Sequence, residues 1–186
     1  MDSKKPSVSV IVPVYNSEAL LRPLVERLRP VLDALATEYE LILVDDGSRD
    51  KSWDVVSDLA REQDWIRGIR MMRNYGQHNA LLCGIRAARH AIVVTIDDDL
   101  QHPPEEIPRL FAALGESFDV VYGTPQREQH GLLRDLASQI TKLALQKAMG
   151  AETASKVSAL RVFRTELRLA FANYQSQFVS IDVLLT

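Results

Sequence analysis

Short, β-branched apolar runs alternate with helical patterns along most of the sequence, and this alternation limits the folds open to it. The apolar runs cover residues 8–14, 40–44, 68–72, 91–96, 119–122 and 157–163. The helical patterns cover residues 17–36, 50–63, 77–90, 104–114, 132–149 and 165–173. Runs this apolar are typical of strands that are buried on both faces, as in a parallel sheet. We therefore expect an α/β fold: a doubly wound, mostly parallel sheet with helices on both faces.

Length and composition fit one globular domain, and we predict a single domain over residues 1–186. A net charge of -3 gives no electrostatic reason to expect a nucleic acid as partner. The single cysteine, Cys83, excludes an intrachain disulfide framework. We see neither a signal peptide nor a run of about 18 apolar residues, the length needed to span a bilayer. Residues 178–186 are apolar and lack a helix stop signal, so we expect that the chain is cut within an element.

Polar clusters follow the first four predicted strands. They lie at residues 13–16, 45–48, 74–77 and 97–99. In an open parallel sheet, ligands bind beyond the carboxyl ends of the strands. We therefore expect these four clusters to converge on one edge of the sheet and to form a binding site there.

Three aspartates come directly after the fourth strand. Side chains alternate along an extended segment, so Asp97 and Asp99 are expected to point one way and Asp98 the other. Two carboxylates on one side repel unless a cation lies between them, and Mg²⁺ and Mn²⁺ prefer oxygen ligands. Gln101 continues the spacing and offers a further oxygen. The pattern favours a metal site; the alternative is a solvated acidic turn that caps the helix starting near Pro104.

The cluster after the second strand has two interpretations. A turn followed by a helix cap accounts for Gly47, Ser48 and Asp50 whatever the function. It does not account for Asp45, which falls at the end of a buried strand, where an unpaired carboxylate is costly. A nucleobase N–H or a ribose hydroxyl would satisfy it. The phosphate-binding glycine motifs GxGxxG and GxxxxGK[ST] are absent from this sequence, which argues against dinucleotide and P-loop sites.

Several of these clusters together resemble a known family. The segments VIVPVYN at 10–16, VDDGS at 44–48 and DDDLQHPPE at 97–105 look like the inverting family 2 glycosyltransferases of GT-A fold. With RNYGQ at 73–77, the last segment is similar to the polyprenyl-phosphate glycosyltransferases. These include dolichyl-phosphate mannose synthases and bacterial undecaprenyl-phosphate transferases of aminoarabinose in its 4-formamido form. The resemblance covers nearly the whole chain.

The resemblance implies a role for each matching residue on the donor side. The nucleotide-sugar site would comprise Pro13, Tyr15, Asn16, Glu18, Asp45, Asp46, Asn74, Gln77 and Asp98. Within it, Asp45 would contact the base and Asp46 would support the ribose or the loop. Asp97 and Asp99 would act in catalysis. Asp99 and Gln101 would hold Mg²⁺ or Mn²⁺ on the diphosphate, and Asp97 would contact this metal or the nucleotide ribose. Asp98 is a departure, because the family often has a small residue there.

The same resemblance implies an acceptor site and a cellular setting. Arg127, Arg134, Ser138 and Arg161 would receive the phosphate of a polyprenyl phosphate, with Arg134 also counted as catalytic. The alternative for Arg134 is the solvated face of an amphipathic helix. The donor would be a UDP- or GDP-linked sugar, a choice that the sequence leaves open. We expect a truncated catalytic domain at the cytoplasmic face of a membrane, anchored by a part that follows Thr186.

Two other functions stay open. A transferase that acts on a sugar hydroxyl needs a carboxylate base, and Asp182 is the plausible counterpart, with an isolated helix-entry aspartate as its alternative. A nucleotide-sugar-binding fragment without activity is the other possibility.

Overall fold

The computed structural model describes residues 5–115, 118–123, 159–172, 174 and 180–185. Its centre is a sheet of six strands with the order β3-β2-β1-β4-β6-β5. The strands are β1 (Ser7–Val14), β2 (Glu38–Asp45), β3 (Ile66–Arg70), β4 (Ile92–Thr95), β5 (Val120–Tyr122) and β6 (Arg161–Arg164). The first four strands run parallel to one another, whereas β6 is antiparallel to both β4 and β5. The expected mostly parallel sheet is therefore confirmed.

Helices cover both faces of this sheet, as predicted. They are α1 (Leu21–Leu35), α2 (Ser52–Glu62), α3 (Gln77–Ala87), α4 (Ile107–Leu114) and α5 (Ile181–Leu184), with 3-10 helices at Pro104–Glu106 and Thr165–Phe171. One core cluster joins α1, α2 and α4 to the sheet, and a second joins α3 and α5 to the opposite face. In β1, Val10 and Val12 belong to the first cluster and Ile11 to the second. Alternate side chains of a strand thus fill two cores, which is why the strand is apolar throughout.

The register of the strands brings the polar clusters together. Strand β1 pairs with β2 from Ser7 opposite Glu38 to Val14 opposite Asp45, so both strands end at the same edge. Ile11 in β1 lies opposite Thr95, the last residue of β4. The loops after these strands therefore leave the sheet side by side.

Some boundaries differ from the predicted ones. The helix predicted to start at residue 17 starts at Leu21, after a turn that is closed by the Leu20 N–H and the Ser17 carbonyl at 2.9 Å. The helix predicted over 77–90 ends at Ala87, and the one predicted over 165–173 is a 3-10 helix. The sixth strand, predicted over 157–163, runs over Arg161–Arg164, and residues 157 and 158 lie outside the described residues. The helix predicted over 132–149 lies outside the described residues.

The N-cap of α2 is Lys51, which makes no side-chain cap bond, so the prediction of Ser48 or Asp50 at this position is wrong. Asp50 lies one residue earlier and still binds the first turn. Asp50 Oδ1 accepts the Ser52 backbone N–H at 3.0 Å, at the first residue of α2. Ser48 was the other candidate, but its hydroxyl accepts the Asn16 N–H instead. Asp50 therefore stabilises the start of α2.

Candidate active site

A cavity of about 280 Å³ lies at the carboxyl edge of the parallel strands. Residues from all four polar clusters line it: Pro13, Val14, Tyr15, Asp46, Asn74, Gly76, Gln77, Asp97, Asp98 and Asp99. The predicted convergence of the four strand ends is confirmed. Six of the nine predicted donor-site residues are among those that line this cavity, as are Asp97 and Asp99. Asn16, Glu18 and Asp45 are not among its described lining residues.

Asn16 and Glu18 were predicted to line the nucleotide pocket, but their polar atoms bind the neighbouring loop. Asn16 has a positive φ of 55°, and its side-chain oxygen accepts the Arg49 N–H at 2.8 Å. Glu18 Oε2 accepts the Lys51 N–H at 2.8 Å. In the described part of the chain, neither residue is among those that line the cavity. These two side chains join the first loop, which follows β1, to the second loop, which follows β2. Both loops border the cavity.

Asp46, in the second loop, binds the third loop, which follows β3. Its Oδ1 accepts the Tyr75 N–H at 2.7 Å and its Oδ2 accepts the Gly76 N–H at 2.8 Å. Gly47, with a φ of 71°, allows this approach, because a Cβ there would lie 2.7 Å from the backbone of Asn74. Of the two roles considered for Asp46, the structure supports the loop.

Asp45 is completely buried at the end of β2. Its Oδ1 accepts the Ser48 N–H at 3.3 Å. Within the described residues its Oδ2 has no hydrogen-bond partner, although Arg70 Nε lies 3.7 Å away. A buried carboxylate oxygen without a hydrogen bond is unusual, and it marks Asp45 as a place where a ligand or water can donate.

Two of the three aspartates after β4, Asp97 and Asp98, bind partners on different loops. Asp97 accepts a hydrogen bond of 2.6 Å from the Gln77 side-chain amide. Asp98 accepts hydrogen bonds from the Ser17 hydroxyl and from the Tyr15 N–H. The predicted divergence of Asp97 and Asp98 is therefore confirmed. Through its two hydrogen bonds, Asp98 holds the first loop in place.

The surroundings of Asp97 disfavour its charged form. Burial and the carboxylates of Asp99 and Asp98 raise its pKa to about 6, although the Arg161 cation and the Gln77 hydrogen bond oppose this. Burial also raises the pKa of Asp98, against the bonds from Ser17 and Tyr15. Crowded carboxylates of this kind are relieved when a cation lies among them.

The donor set fits an oxygen-preferring divalent ion that the substrate completes. Asp97 and Asp99 line the cavity, and Asp99 Oδ1 accepts the Gln101 N–H at 3.0 Å. Gln101 itself is exposed and is not among the described residues that line the cavity. No group of three or more acidic, histidine or cysteine residues in the described part could hold a metal alone. Mg²⁺ is commonly bound by one or two carboxylates plus substrate phosphates, so these residues fit that mode.

Comparison with known proteins identifies the family. The model of "Glycosyl transferase family 2" matches residues 9–168. The chain belongs to glycosyl transferase family 2. This glycosyltransferase is 39% identical to the undecaprenyl-phosphate 4-deoxy-4-formamido-L-arabinose transferase of Aeromonas hydrophila, over 95% of this chain and 55% of that protein. The protein of the same name from Shewanella sediminis is 37% identical, with 95% and 54% covered. The glycosyltransferase thus spans about half the length of these relatives.

Solved structures share the fold of this glycosyltransferase. The mannosyltransferase PcManGT of Pyrobaculum calidifontis, solved with GDP-Man and Mn²⁺, superimposes with a TM-score of 0.64 at 23% identity, over 90% of this chain and 47% of that one. TarS of S. aureus, solved with UDP, gives a TM-score of 0.62 at 23% identity, with 92% and 50% covered. At these identities the likeness shows the fold alone. The GT-A fold implied by the motifs is confirmed.

Of the four predicted acceptor residues, only Arg161 lies in the described part of the chain. Arg127, Arg134 and Ser138 lie outside the described residues. Arg161 is 3% exposed, and its guanidinium is bound by the carboxylate of Asp182. Arg161 was predicted to receive an acceptor phosphate, but here its charge is already neutralised inside the protein. Sequence reasoning missed this pairing, because 21 residues separate the two partners.

None of the helices in the described ranges is long and apolar enough to cross a membrane.

Proposed function

We propose that this chain carries the donor site of a metal-dependent, inverting glycosyltransferase that moves a sugar from a UDP- or GDP-linked donor to a polyprenyl phosphate. We further propose that it works at the cytoplasmic face of a membrane, where such a lipid is accessible. The observation that carries the choice of acceptor is the state of Asp182. This carboxylate, the candidate base for a hydroxyl acceptor, is 6% exposed and is bound by Arg161.

An acceptor phosphate removes the need for a base. A sugar hydroxyl must lose a proton as it attacks, which calls for a positioned carboxylate within hydrogen-bond reach. A phosphate monoester is already anionic near neutral pH, since its second pKa is about 6. Its oxygen attacks the anomeric carbon, the bond from that carbon to the donor diphosphate breaks, and the nucleoside diphosphate leaves. Such a single displacement inverts the configuration at the anomeric carbon.

The residues of the cavity support the donor half of this proposal. Asp97 and Asp99 are the side chains that would hold Mg²⁺ or Mn²⁺ on the diphosphate, with Gln101 next to them in the chain. The chemistry such an ion supplies is stabilisation of the negative charge that develops on the leaving diphosphate. Asp45 Oδ2 is buried, accepts no hydrogen bond within the described residues and lies 3.7 Å from Arg70 Nε; we propose it as the acceptor for the N–H that uracil and guanine both offer. The relatives' name, which specifies an undecaprenyl phosphate acceptor, supports the same acceptor class.

Calorimetry tests the donor site directly. UDP and GDP are titrated into the protein with Mn²⁺ and with EDTA, using the wild type and Asp99→Ala. We expect one nucleotide to bind in Mn²⁺, and this binding to disappear in EDTA and in Asp99→Ala. Asp58→Ala is the matched control, since Asp58 is a half-exposed carboxylate on α2 that is paired with its helix neighbour Arg61 and is not among the described residues that line the cavity. Failure of a folded wild type to bind either nucleotide would contradict the donor site.

Transfer assays test the acceptor. Radiolabelled sugar from the nucleotide that binds is offered to undecaprenyl phosphate, to undecaprenol and to a soluble glycan. Labelling of undecaprenyl phosphate alone supports the proposal, since undecaprenol lacks only the phosphate. Labelling of the glycan would instead support the hydroxyl-acceptor alternative.

A further inference from the structure

Arg161 and Asp182 form a buried ion pair that takes no direct part in the reaction proposed above. Arg161 Nε lies 2.7 Å from Asp182 Oδ1, and Nη2 lies 3.0 Å from Oδ2. Arg161 is 3% exposed and Asp182 is 6% exposed. A buried pair of this kind is weak evidence for stability alone, because the cost of removing two charges from water offsets their attraction. Its surroundings indicate another role.

The guanidinium of Arg161 also fixes the end of β4. Its Nη1 donates to Thr95 Oγ1 at 3.4 Å and to the Ala159 carbonyl at 3.2 Å. Thr95 is the last residue of β4, and its hydroxyl donates to the same Ala159 carbonyl at 2.9 Å. Asp97 follows only two residues later. Arg161 therefore sets the point from which the aspartates leave the sheet.

A second set of contacts leads from Asp182 back to Asp97 through α3. The N–H of Ile181, next to Asp182, donates to His78 Nδ1 at 3.2 Å. An accepting Nδ1 requires a neutral imidazole with its proton on Nε2. Burial and the Arg161 cation lower the pKa of His78, against the Asp182 carboxylate, which favours the neutral ring. His78 adjoins Gln77, whose amide donates to Asp97 at 2.6 Å.

These contacts close a ring that includes Gln77 and Asp97, two of the residues that line the cavity. It passes from Asp97 through Gln77 and His78 to α5, across the ion pair to Arg161, and through Thr95 back to Asp97. We propose that the Arg161–Asp182 pair is a positioning device that holds Gln77 and Asp97 in place for the donor, and that Asp182 is a positioning residue. The part that concerns the donor rests on the function proposed above.

Asp182→Asn tests this ring with little change in shape. The amide keeps one oxygen for Arg161 but presents N–H groups to the other guanidinium donor, which breaks the bidentate geometry. Two quantities are measured: the position of the Gln77 side-chain amide signal in ¹H–¹⁵N spectra, assigned with Gln77→Leu, and the affinity for UDP or GDP in Mn²⁺. We expect the amide signal to move and the nucleotide affinity to fall about tenfold, the effect of one lost charged hydrogen bond.

Glu40→Gln is the matched control, because Glu40 is also a buried carboxylate with an arginine partner. It is 5% exposed and lies 2.7 Å from Arg67 Nη1, near the start of β2 and so at the opposite edge of the sheet. We expect it to lower the melting temperature without moving the Gln77 signal or the nucleotide affinity. An effect on the Gln77 signal as large as that of Asp182→Asn would overturn the proposal, because general loosening would then explain both.

The remaining outcomes also decide the matter. An unmoved Gln77 signal in folded Asp182→Asn contradicts the positioning role, whatever the nucleotide does. A wild type that binds neither nucleotide, but whose Gln77 signal moves in Asp182→Asn, keeps the ring and refutes the donor site.

Where Asp182→Asn does not fold, Thr95→Val replaces it, since valine keeps the shape of Thr95 and removes only the hydroxyl that faces Arg161. Asp182→Glu, which restores the charge on a longer arm, is expected to return part of the wild-type signal and affinity.

Discussion

The carboxylate of Asp46 holds the backbone N–H of Gly76 at 2.8 Å, across two loops that lie 30 residues apart in the chain. Its other oxygen holds the N–H of Tyr75. A carboxylate that accepts two backbone N–H groups is a strong, directional connection. The third loop, which contributes Asn74 and Gln77 to the cavity, is therefore fixed by a side chain of the second loop.

We predict that Asp46→Asn weakens nucleotide binding by about tenfold, because one charge-assisted hydrogen bond to the third loop is lost. The affinity is measured by calorimetry in Mn²⁺. Asp58→Asn is the control, since it removes a half-exposed charge from α2, the helix that follows the second loop. Equal affinity in wild type and Asp46→Asn would mean that the third loop keeps its position without this bond.

A second prediction concerns the packing of α3 on the sheet. Gly84 lies in the middle of α3, where a Cβ would come within 2.4 Å of Ile11 Cγ2 and 3.2 Å of Val44 Cγ2. Glycine to alanine inside a helix ordinarily stabilises by up to about 1 kcal/mol. Here the overpacking should outweigh that gain, so Gly84→Ala is expected to destabilise by about 1–3 kcal/mol. Urea denaturation measures the change, and a stabilised variant would contradict the close packing.

A third prediction concerns pH. Burial by itself raises the pKa of Glu40, but hydrogen bonds from Arg67, Ser9 and the Arg89 N–H outweigh burial and lower the pKa below its ordinary 4.5. A carboxyl group whose pKa is lower in the folded state stabilises the fold above its unfolded pKa. This contribution is lost as the pH falls through the folded pKa.

We therefore expect Glu40→Gln to lower the free energy of unfolding by about 2 kcal/mol near neutral pH. The difference from wild type should shrink once the pH drops below the ordinary value of 4.5. Urea denaturation of both proteins across this range gives the two curves. A difference that stays constant with pH would show that Glu40 contributes through its shape and not through its charge.

Much of the fold follows from short-range patterns in the sequence. The first four strands are apolar because both faces are covered, so the pattern alone locates them and, with the rule for parallel sheets, the edge where Asp97 and Asn74 meet. The predicted start of α1 is four residues early, because the residues before Leu21 form a separate turn, closed by the Leu20 N–H and the Ser17 carbonyl, which a helical pattern does not distinguish from a first helical turn.

The site was harder to predict where polar side chains bind other parts of the protein instead of a ligand. Asn16 and Glu18 carry polar groups suited to a ligand, yet backbone N–H groups of the second loop occupy them. Arg161 looks like a phosphate-binding arginine until Asp182 is found beside it. Residue type indicates what a group can bind, whereas only the folded arrangement shows which groups are already bound.

Asp45 offers the sharpest test of a buried oxygen that accepts no hydrogen bond within the described residues. Its Oδ2 is buried and, among the described residues, without a hydrogen bond, while Arg70, whose side chain is 54% exposed, lies 3.7 Å away. An exposed partner at that distance contributes little, so Asp45→Asn is expected to change the free energy of unfolding by less than about 1 kcal/mol.

The effect of Asp45→Asn on binding should be far larger. The carboxylate is proposed to accept an N–H from the nucleobase, and an amide is a weaker acceptor that also presents an N–H of its own. We predict that the affinity for UDP or GDP falls by about 10- to 100-fold in calorimetry. Asp119→Asn is the control, since it alters an exposed carboxylate 3.5 Å from Arg164. If Asp45→Asn binds nucleotide as well as the wild type, Asp45 does not contact the base, and the open oxygen at the end of β2 is satisfied by water.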